Sequence, residues 1–418
     1  MAISGYVLVA LSDAPDLPPD LWVLLAAMIG LFVVAHFAVR RLAPRATPVL
    51  VPLAAFLNGI GFVMISRLDR DLARTQAIWT ALGIIAFVAT LFAVRRVRDL
   101  ERYRYTFGLL GLLALLMPLA PVIGRTVNGA RIWVKIGPAQ VQPGEAAKVL
   151  LVIFFAGYLA EKRELLGAGS MKSGWVFRHL MPLVAAWAVS MLVLIFQKDL
   201  GTSLLVFVMF ASIVYMATNR IRYLLGGIIV FLASAAIAYR MFDHVRARVD
   251  IWLDPFADAQ DRGYQLVQAL FAFGSGGFTG TGLGLGSVDK IKIPAVETDS
   301  LFVVIGEELG LLGTAAIVIA VLMLAGAGFR VATTSRRVFN KLFAGGLTTV
   351  VAIQAFVIIG GITRVIPLTG VTLPFVSYGG SSLLANWIIV ALLIRMSDEA
   401  ANDAEASIDE LAEPAVPV

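Results

Sequence analysis

Residues 199–241 form two long apolar runs that are joined by a short basic turn: DLGTSLLVFVMFASIVYMATNRIRYLLGGIIVFLASAAIAYRM. The runs 199–217 and 223–241 are each close to the length, about 20 residues, that an α-helix needs to cross the hydrocarbon core of a bilayer. The turn between them carries Arg220 and Arg222, and arginines in a short loop between spans are typical of the cytoplasmic side. This stretch therefore predicts a helix hairpin that crosses a membrane twice and turns at its inner face.

The same pattern of apolar runs and short loops extends over most of the chain. Further runs of this kind lie at 21–39, 48–66, 76–94, 105–123, 145–160, 179–196, 300–328, 343–362 and 377–396. Together with the first two, they predict an all-α integral membrane protein, a polytopic bundle of about 10–11 transmembrane helices.

The composition supports a membrane protein and excludes several other classes. Of the 418 residues, 59% are hydrophobic and 15% are charged, whereas a soluble domain has about 25% charged residues. The chain has no cysteine, which excludes disulfides and thiolate metal sites. Its three histidines, His36, His179 and His244, argue against a multi-histidine metal site. The net charge of +6 comes from basic residues in short loops, so it indicates membrane orientation rather than nucleic-acid binding.

The distribution of basic residues predicts the orientation in the membrane. Clusters such as Arg40-Arg41 and Arg95-Arg96 fall on the same side as the 220–222 turn, which makes that side cytoplasmic. The loops 124–144 and 363–376 then lie on the outer side. Basic residues in the outer loops indicate an anionic ligand there: Arg125, Arg131, Lys135, Lys290 and Lys292.

The chain is predicted to have three parts. Residues 1–47 would be an outer amino terminus and a first span. Residues 48–396 would be the transmembrane core, which includes one large extracytoplasmic loop at 242–299. Residues 397–418 are polar and acidic, and we predict a disordered cytoplasmic tail.

The large outer loop is unusual for its length, because most loops in compact proteins are short. Residues 263–270 have amphipathic spacing and predict a short helix at the membrane interface. The glycine-rich run 274–286 is not a phosphate-binding loop, because no Gly-Lys-Ser/Thr follows it. Two interpretations of this run stay open, a flexible turn and a backbone segment packed close to a substrate.

Acidic residues lie at the start of the span that follows this loop and within it. Asp299 precedes the apolar run, so it could cap the helix, act as a rigidly held general base, or do both. Glu307 and Glu308 lie about 12–14 Å further along the helix. A carboxylate at that depth is costly unless it faces a cavity or a cation, and both a structural ion pair and a catalytic role stay open.

Two further segments predict polar sites on the outer side. Glu145 and Lys148 are spaced i,i+3 at the start of a span and share one helix face, and Arg131 and Trp133 lie just before them. Such a pair is either a simple intrahelical pair or, inside a membrane, the mark of a functional site.

The second segment, 362–382, contains two prolines and a glycine pair and predicts a broken stretch that lines a cavity. Its residues of interest are Arg364, Ser377, Gly379 and Gly380.

Five short stretches together resemble the RodA/FtsW family, the shape, elongation, division and sporulation proteins of bacteria. They are QPGEAAK (142–148), QKDLGT (197–202), GYQ (263–265), PAVETD (294–299) followed by GEELG (306–310), and LPFVSYGGSS (373–382). The resemblance extends from about residue 48 onward, and it is their order and spacing that make it specific.

The resemblance implies a peptidoglycan glycosyltransferase that polymerises lipid II at the outer face of the bacterial cytoplasmic membrane. By motif, the essential acid falls on Asp299, the acid and base of a second motif fall on Glu145 and Lys148, and the tryptophan of a third motif falls on Trp133. The implied partners are lipid II, membrane lipids and a class B penicillin-binding protein, with no nucleic acid. An elongation role and a division role both remain open.

The chemistry of such a reaction places demands on the other charged residues. The departing pyrophosphate needs cations, and the candidates are Arg131, Lys148, Arg248 and Arg364. No cofactor is fixed by the sequence, and a divalent ion, Mg²⁺ or Mn²⁺, held by Asp299 is left open. The main alternative is a transporter that flips lipid-linked precursors, since it too needs a charged intramembrane cavity; a non-catalytic scaffold would have little use for such charges.

The sequence also departs from the family pattern at several positions. Gly144 replaces a usual serine, Lys198 a usual proline, and Glu297 lies in a stretch that usually has Glu-x-His. Gln354 lies near a usual asparagine. These differences affect the expected geometry of the site but leave its acidic and basic set intact.

Overall fold

The computed structural model describes residues 21–127, 129–137, 139–167, 174–287 and 293–412. Within these ranges, nine helices are long and apolar enough to cross a membrane, and two shorter apolar helices cover Arg104–Leu119 and Met181–Gln197. The predicted polytopic helical bundle is therefore confirmed. Asn128, Lys290 and Lys292 lie outside the described residues, as do the first twenty residues of the predicted outer amino terminus.

The helices follow the predicted spans closely. In chain order they are α1 (Leu21–Leu42), α2 (Leu50–Leu68), α3 (Arg70–Ala93), α4 (Arg98–Arg102), α5 (Arg104–Leu116), α6 (Pro143–Gly167), α7 (Gly174–Gln197), α8 (Leu200–Thr218), α9 (Ile221–Met241), α10 (Asp243–Leu253), α11 (Tyr264–Gly276), α12 (Leu301–Glu308), α13 (Gly310–Thr334), α14 (Val338–Ile362) and α15 (Gly380–Ala412). Short 3₁₀ turns follow α5 and α10, at Met117–Leu119 and Pro255–Asp258.

The centre of the bundle is formed by α2, α6, α14 and α15, which are mostly buried. Close helix approach in a membrane depends on small residues, because apolar side chains gain little by leaving lipid for protein. In α14, Gly345 packs against Met216 and Gly346 against Val152 and Ile213. The periphery is different: α9 has no buried residue, and its main contacts are with α8 and α10.

A small antiparallel sheet lies between α5 and α6, in a loop for which the sequence predicted no secondary structure. Its three strands, in the order β1-β2-β3, are Gly124–Val127, Ala130–Ile136 and Ala139–Val141. Arg131 ties it to the end of α5, because its guanidinium donates to the carbonyls of Pro118 at 2.9 Å and Ala120 at 3.1 Å. The sheet therefore holds the segment before α6 in a fixed position.

The predicted single span 300–328 is wrong, because the helix is interrupted at Leu309 between α12 and α13. Gly310 has a φ of +64°, a conformation that glycine adopts without strain. The carbonyls exposed at the break are satisfied by the glycine-rich run: Thr281 N donates to Glu307 O at 2.9 Å and Gly282 N to Glu308 O at 3.0 Å. A broken helix is tolerated at this depth because another segment completes its hydrogen bonds.

The predicted disordered tail is also wrong as far as Ala412, because α15 continues to that residue. The polar residues of this extension bind the loops at the same end of the bundle. Ser397 Oγ lies 2.7 Å from Thr47 Oγ1, Asp398 accepts from the main-chain N of Arg45 at 2.9 Å, and Glu399 accepts from the N of Val97 at 2.7 Å. The low hydrophobicity of the segment reflects a helix that packs against polar loops rather than a chain without structure.

Candidate active site

A cavity of about 320 Å³ opens at the end of the bundle where α6, α8, α12 and α15 begin. It lies under β1 and β2, and the irregular segment between α14 and α15 forms part of its wall. The prediction that residues 362–382 contain a broken stretch lining a cavity is confirmed. The polar lining consists of Gln142, Glu145, Lys198, Asp199, Arg248, Glu297, Thr298, Asp299, Thr369, Thr372, Tyr378, Ser381 and Ser382.

Asp299 lines this cavity and does not cap α12. The residue that precedes the helix is Ser300, and no side chain caps the first turn. The main-chain N–H of Asp299 donates to Ala295 O at 3.0 Å. This hydrogen bond holds the backbone from which the carboxylate projects. Of the alternatives that the sequence left open, the geometry therefore favours a cavity-facing acid.

The environment of Asp299 raises its pKa to about 6. Burial is the main cause, because it disfavours the charged carboxylate, while a hydrogen bond from Thr298 and the charge of Arg248 act in the opposite direction. Nearby Glu297 adds to the increase. A carboxylate with a pKa near 6 is mostly ionised at neutral pH and still basic enough to accept a proton during a reaction.

Arg248 reaches the same part of the cavity from α10, a helix that the sequence did not predict. Its guanidinium donates to Leu368 O, and burial lowers its pKa while Asp299 and Asp199 oppose that change. Gly370 adjoins both groups: a Cβ on it would be 3.2 Å from Asp299 Oδ2 and 4.0 Å from Arg248 Nη2. The acid and the guanidinium therefore both border the space that a side chain at this position would fill.

A second charged group lies at the start of α6. Glu145 lines the cavity, and its Oε2 is 2.8 Å from Lys148 Nζ, which also donates to Gln354 Oε1 at 2.7 Å. Gln354 Nε2 in turn donates to Thr372 O at 3.0 Å. Lys148 is buried behind Glu145 rather than exposed at the cavity wall, and the pair is part of a network that joins α6 to α14 and to the 363–379 segment.

Asp199 is a site residue that sequence reasoning did not single out. It is buried, lines the cavity and lies within electrostatic range of Lys148 and Glu145. Its Oδ1 accepts from Thr202 N at 2.9 Å, so it caps α8 as well. The available signal was its position in the Gln197-Lys198-Asp199 turn, an acid at the entrance of an apolar run.

The other predicted site residues divide into three groups. Trp133 and Gly379 line the cavity. Arg131 and Arg364 lie outside its lining, and each donates to main-chain carbonyls, Arg364 to Trp252 O at 3.2 Å and to Leu253 O at 3.0 Å. Ser377 and Gly380 support the wall: Ser377 Oγ accepts from Leu373 N at 3.0 Å, and Gly380 packs against Trp79.

Glu307 and Glu308 are buried away from the cavity lining. Glu308 Oε1 is 3.0 Å from Arg67 Nε, both side chains being buried, and its Oε2 accepts from Gly284 N at 3.0 Å. Glu307 Oε1 accepts from Ser287 N at 2.8 Å. The structural ion pair that the sequence left open thus describes Glu308, whereas Glu307 is held by hydrogen bonds from Ser287. The glycine-rich run packs against both acids and lies outside the cavity lining.

The acidic residues of the cavity offer little to a divalent cation on their own. Within the described ranges, no group of three or more His, Asp or Glu side chains is arranged to hold a metal ion. Asp299 supplies a single carboxylate with Arg248 beside it. Mg²⁺ commonly binds through one or two carboxylates and substrate phosphates, so the residues fit an ion that arrives with a phosphorylated ligand but not a resident protein cage.

Comparisons of sequence place this chain with RodA and FtsW proteins. The family model of the FtsW, RodA and SpoVE cell cycle proteins matches residues 49–402. The peptidoglycan glycosyltransferase RodA of Mycobacterium bovis is 44% identical over 95% of this chain and 87% of its own length. The probable peptidoglycan glycosyltransferase FtsW of Geobacter metallireducens is 33% identical over 78% of this chain and 84% of its own.

Solved structures share the fold. A chain of a peptidoglycan synthase complex that coordinates polymerization and crosslinking matches with a TM-score of 0.70 and 28% identity, over 85% of this chain and 98% of that one. The crystal structure of the rod shape determining protein RodA of Thermus thermophilus matches with a TM-score of 0.60 and 26% identity, over 84% of this chain and 96% of that one.

Proposed function

The chain belongs to the family of FtsW, RodA and SpoVE cell cycle proteins, and on that premise we propose that it is a peptidoglycan glycosyltransferase that polymerises lipid II in the cavity below β1 and β2. The observation that carries the proposal is the placement of Asp299 and Arg248 beside Gly370 in a cavity at one face of a multi-pass membrane protein. RodA relatives at 44–46% identity, against 33% for an FtsW relative, favour the RodA branch.

The reaction joins the 4-hydroxyl of an acceptor sugar to the anomeric carbon of a donor lipid II. The new C–O bond forms as the bond from the anomeric carbon to the pyrophosphate oxygen breaks, and polyprenyl pyrophosphate leaves with the bonding electrons. The hydroxyl proton passes to the carboxylate of Asp299, whose pKa of about 6 suits a general base at neutral pH.

The leaving pyrophosphate gains negative charge and needs fixed cations. Arg248 and Lys198 line the cavity, and the geometry favours them over Arg131 and Arg364, whose guanidinium groups bind main-chain carbonyls. Lys148 acts through Glu145, with which it pairs, by holding that carboxylate and the wall around Gln354 in place. A divalent ion bound to Asp299 together with substrate phosphates would supply further charge neutralisation there.

Two features of the setting are part of the proposal. The cavity lies at the outer face of the cytoplasmic membrane, which the basic loops at the opposite end of the bundle support. A class B penicillin-binding protein is the partner, because the related chain comes from a complex that couples polymerization to crosslinking.

The decisive experiment is the incubation of purified lipid II with the purified chain in detergent or vesicles, alone and with the cognate class B penicillin-binding protein. Glycan strands on a gel are expected, and Asp299→Asn should not make them. Movement of lipid II across vesicles without strand formation would instead identify a transporter.

Orientation can be measured in the same cysteine-free chain. Thr126, next to the cavity in β1, and Thr333, near the opposite end of α13, are both exposed. In intact cells, a membrane-impermeant maleimide should label Thr126→Cys and not Thr333→Cys. The reverse pattern would place the cavity at the cytoplasmic face.

A further inference from the structure

A second cavity lies toward the opposite end of the bundle from the first, on the side where α9 packs. It has a volume of about 350 Å³, is open to the surroundings of the bundle and is lined by apolar residues of α7, α8 and α9. We call it the inner-face groove and define it by Trp187, Phe207, Phe210, Arg222, Gly226 and Val230. The catalytic cavity lies at the opposite ends of these helices, where α7 ends and α8 begins.

The sequence of α9 creates the groove. A Cβ added to Gly226 would meet nothing within 4 Å, and one added to Gly227 would only reach the ring of Phe207 at 3.7 Å. Two adjacent glycines in a span thus leave open space where other residues would fill it. Aromatic rings close the far side, with Trp187 and Phe210 stacked at 5.4 Å.

The groove has an apolar interior and a basic mouth. Arg222 is exposed and its guanidinium lies 5.2 Å above the ring of Tyr223, at the first turn of α9. From Arg222 to Val230 the helix rises by about 12 Å, which is most of the thickness of one leaflet, about 15 Å. A ligand that fills the inner-face groove must therefore combine an apolar chain about 12 Å long with a negative charge at the level of the lipid headgroups.

We propose that the inner-face groove binds an anionic phospholipid, with one acyl chain between α7 and α9 and its phosphate at Arg222. An arginine near the surface of an anionic leaflet attracts such headgroups, and a zwitterionic lipid would gain little from it. The bound chain would fill the space beside α9, which has no buried residue of its own. This site is independent of the proposed glycosyltransferase activity.

The test uses the fluorescence of Trp187 as a reporter of the groove. The full chain and the Trp187→Phe variant are reconstituted in phosphatidylcholine vesicles. One series of vesicles contains increasing fractions of phosphatidylglycerol that is brominated on the acyl chain, and the other contains increasing fractions of phosphatidylcholine brominated in the same way. The difference between the two proteins is the Trp187 signal. Its quenching should need roughly five-fold less brominated phosphatidylglycerol than brominated phosphatidylcholine, the preference expected from one basic residue at the membrane surface.

Variants separate the charge from the groove. Arg222→Gln should abolish the five-fold preference, and Arg222→Lys should keep it. Gly226→Leu should reduce quenching by both lipids, whereas Gly326→Leu in α13, where an added Cβ also meets nothing within 4 Å, should leave it unchanged. Equal quenching by the two lipids, or a preference that survives Arg222→Gln, would overturn the proposal. Displacement of brominated phosphatidylglycerol by an equal amount of polyprenyl phosphate would assign the groove to polyprenyl chains instead.

Discussion

Asp299 and the pair Glu307–Glu308 are carboxylates of one segment, yet their surroundings differ in kind: Asp299 is half-buried, and both glutamates are buried. Asp299 faces a cavity beside Thr298, with the charge of Arg248 nearby. Glu308 is satisfied by Arg67 and by the N–H of Gly284. The carboxylate of Asp299 therefore adjoins open space from which it can accept a proton. Both oxygens of Glu308 already accept hydrogen bonds within the protein.

The difference shows that burial alone does not identify a catalytic acid. An intramembrane carboxylate is a functional candidate by default because of its cost, but that cost can also be met by an ion pair and by main-chain donors. What distinguishes the two positions is the direction of the partners: fixed protein donors surround Glu308, whereas open space adjoins Asp299. Each of the following substitutions tests one side of this contrast.

The largest expected effect is on catalysis by Asp299→Asn. Asparagine preserves the size of the side chain but cannot take a proton, so lipid II polymerisation should fall by about 10²- to 10⁴-fold, the usual contribution of a general base. Thermal unfolding in detergent should change little. Glu297→Gln, which also removes a carboxylate from the cavity lining, is the matched control and should retain most activity; a similar loss in both variants would contradict a specific role for Asp299.

The opposite pattern is expected for Glu308→Ala. Removal of this carboxylate breaks the buried ion pair with Arg67, and breaking such a pair costs about 3–5 kcal/mol in folded proteins. The thermal unfolding midpoint should drop strongly, while the rate per folded molecule stays near that of the parent. A stable Glu308→Ala protein that has lost polymerisation would instead show that Glu308 takes part in the reaction, and the proposed difference between Glu308 and Asp299 would be wrong.

Most of the fold could be predicted from hydropathy and loop charge. The spans were predicted from runs of apolar residues, because a helix that crosses a bilayer needs about 20 of them. Helix α11 was predicted from the amphipathic spacing around Tyr264. The break at Leu309 could not be predicted, because it depends on a partner segment distant in sequence, the glycine-rich run, which completes its hydrogen bonds. The structured end of α15 was missed for a similar reason, since its polar residues are ordered by the loops around Arg45 and Val97.

The site was only partly predictable. Asp299, Glu145 and Lys148 were identified from a charge placed beside an apolar run, and the structure brings Asp299 and Glu145 to one cavity. Arg248 was predicted only as one of several candidate cations for the pyrophosphate. The position of α10 is what distinguishes it from Arg364. Whether a basic side chain faces a cavity or binds a carbonyl depends on tertiary contacts that a sequence pattern does not encode.

A smaller effect is expected at Gly370, which adjoins both the acid and the guanidinium. Gly370 has a φ of +75°, and a Cβ there would lie 3.2 Å from Asp299 Oδ2. Gly370→Ala should reduce polymerisation by about ten-fold, because displacements of less than 1 Å at a reacting group already impair its alignment. Gly137→Ala has a similar backbone conformation, with a φ of +59°, and nothing within 4 Å of an added Cβ. This control should share the backbone strain but keep full activity, and equal losses in the two variants would reduce Gly370 to a turn residue.

The smallest expected effect is a change in the pH dependence of the rate. Because Asp299 must be ionised to act as a base and its pKa is raised to about 6, kcat/KM should be constant near neutral pH. It should fall about ten-fold for each pH unit well below 6, as the carboxylate becomes protonated.

The charge of Arg248 holds this pKa down against the effect of burial. Arg248→Gln should therefore move the acid limb to higher pH, whereas Arg248→Lys, which keeps a positive charge, should move it less. The profile is measured as the initial rate of strand formation at subsaturating lipid II, so that the limb reports the free enzyme. An unchanged limb in Arg248→Gln, with the rate lowered equally at every pH, would mean that Arg248 binds the pyrophosphate without acting on Asp299.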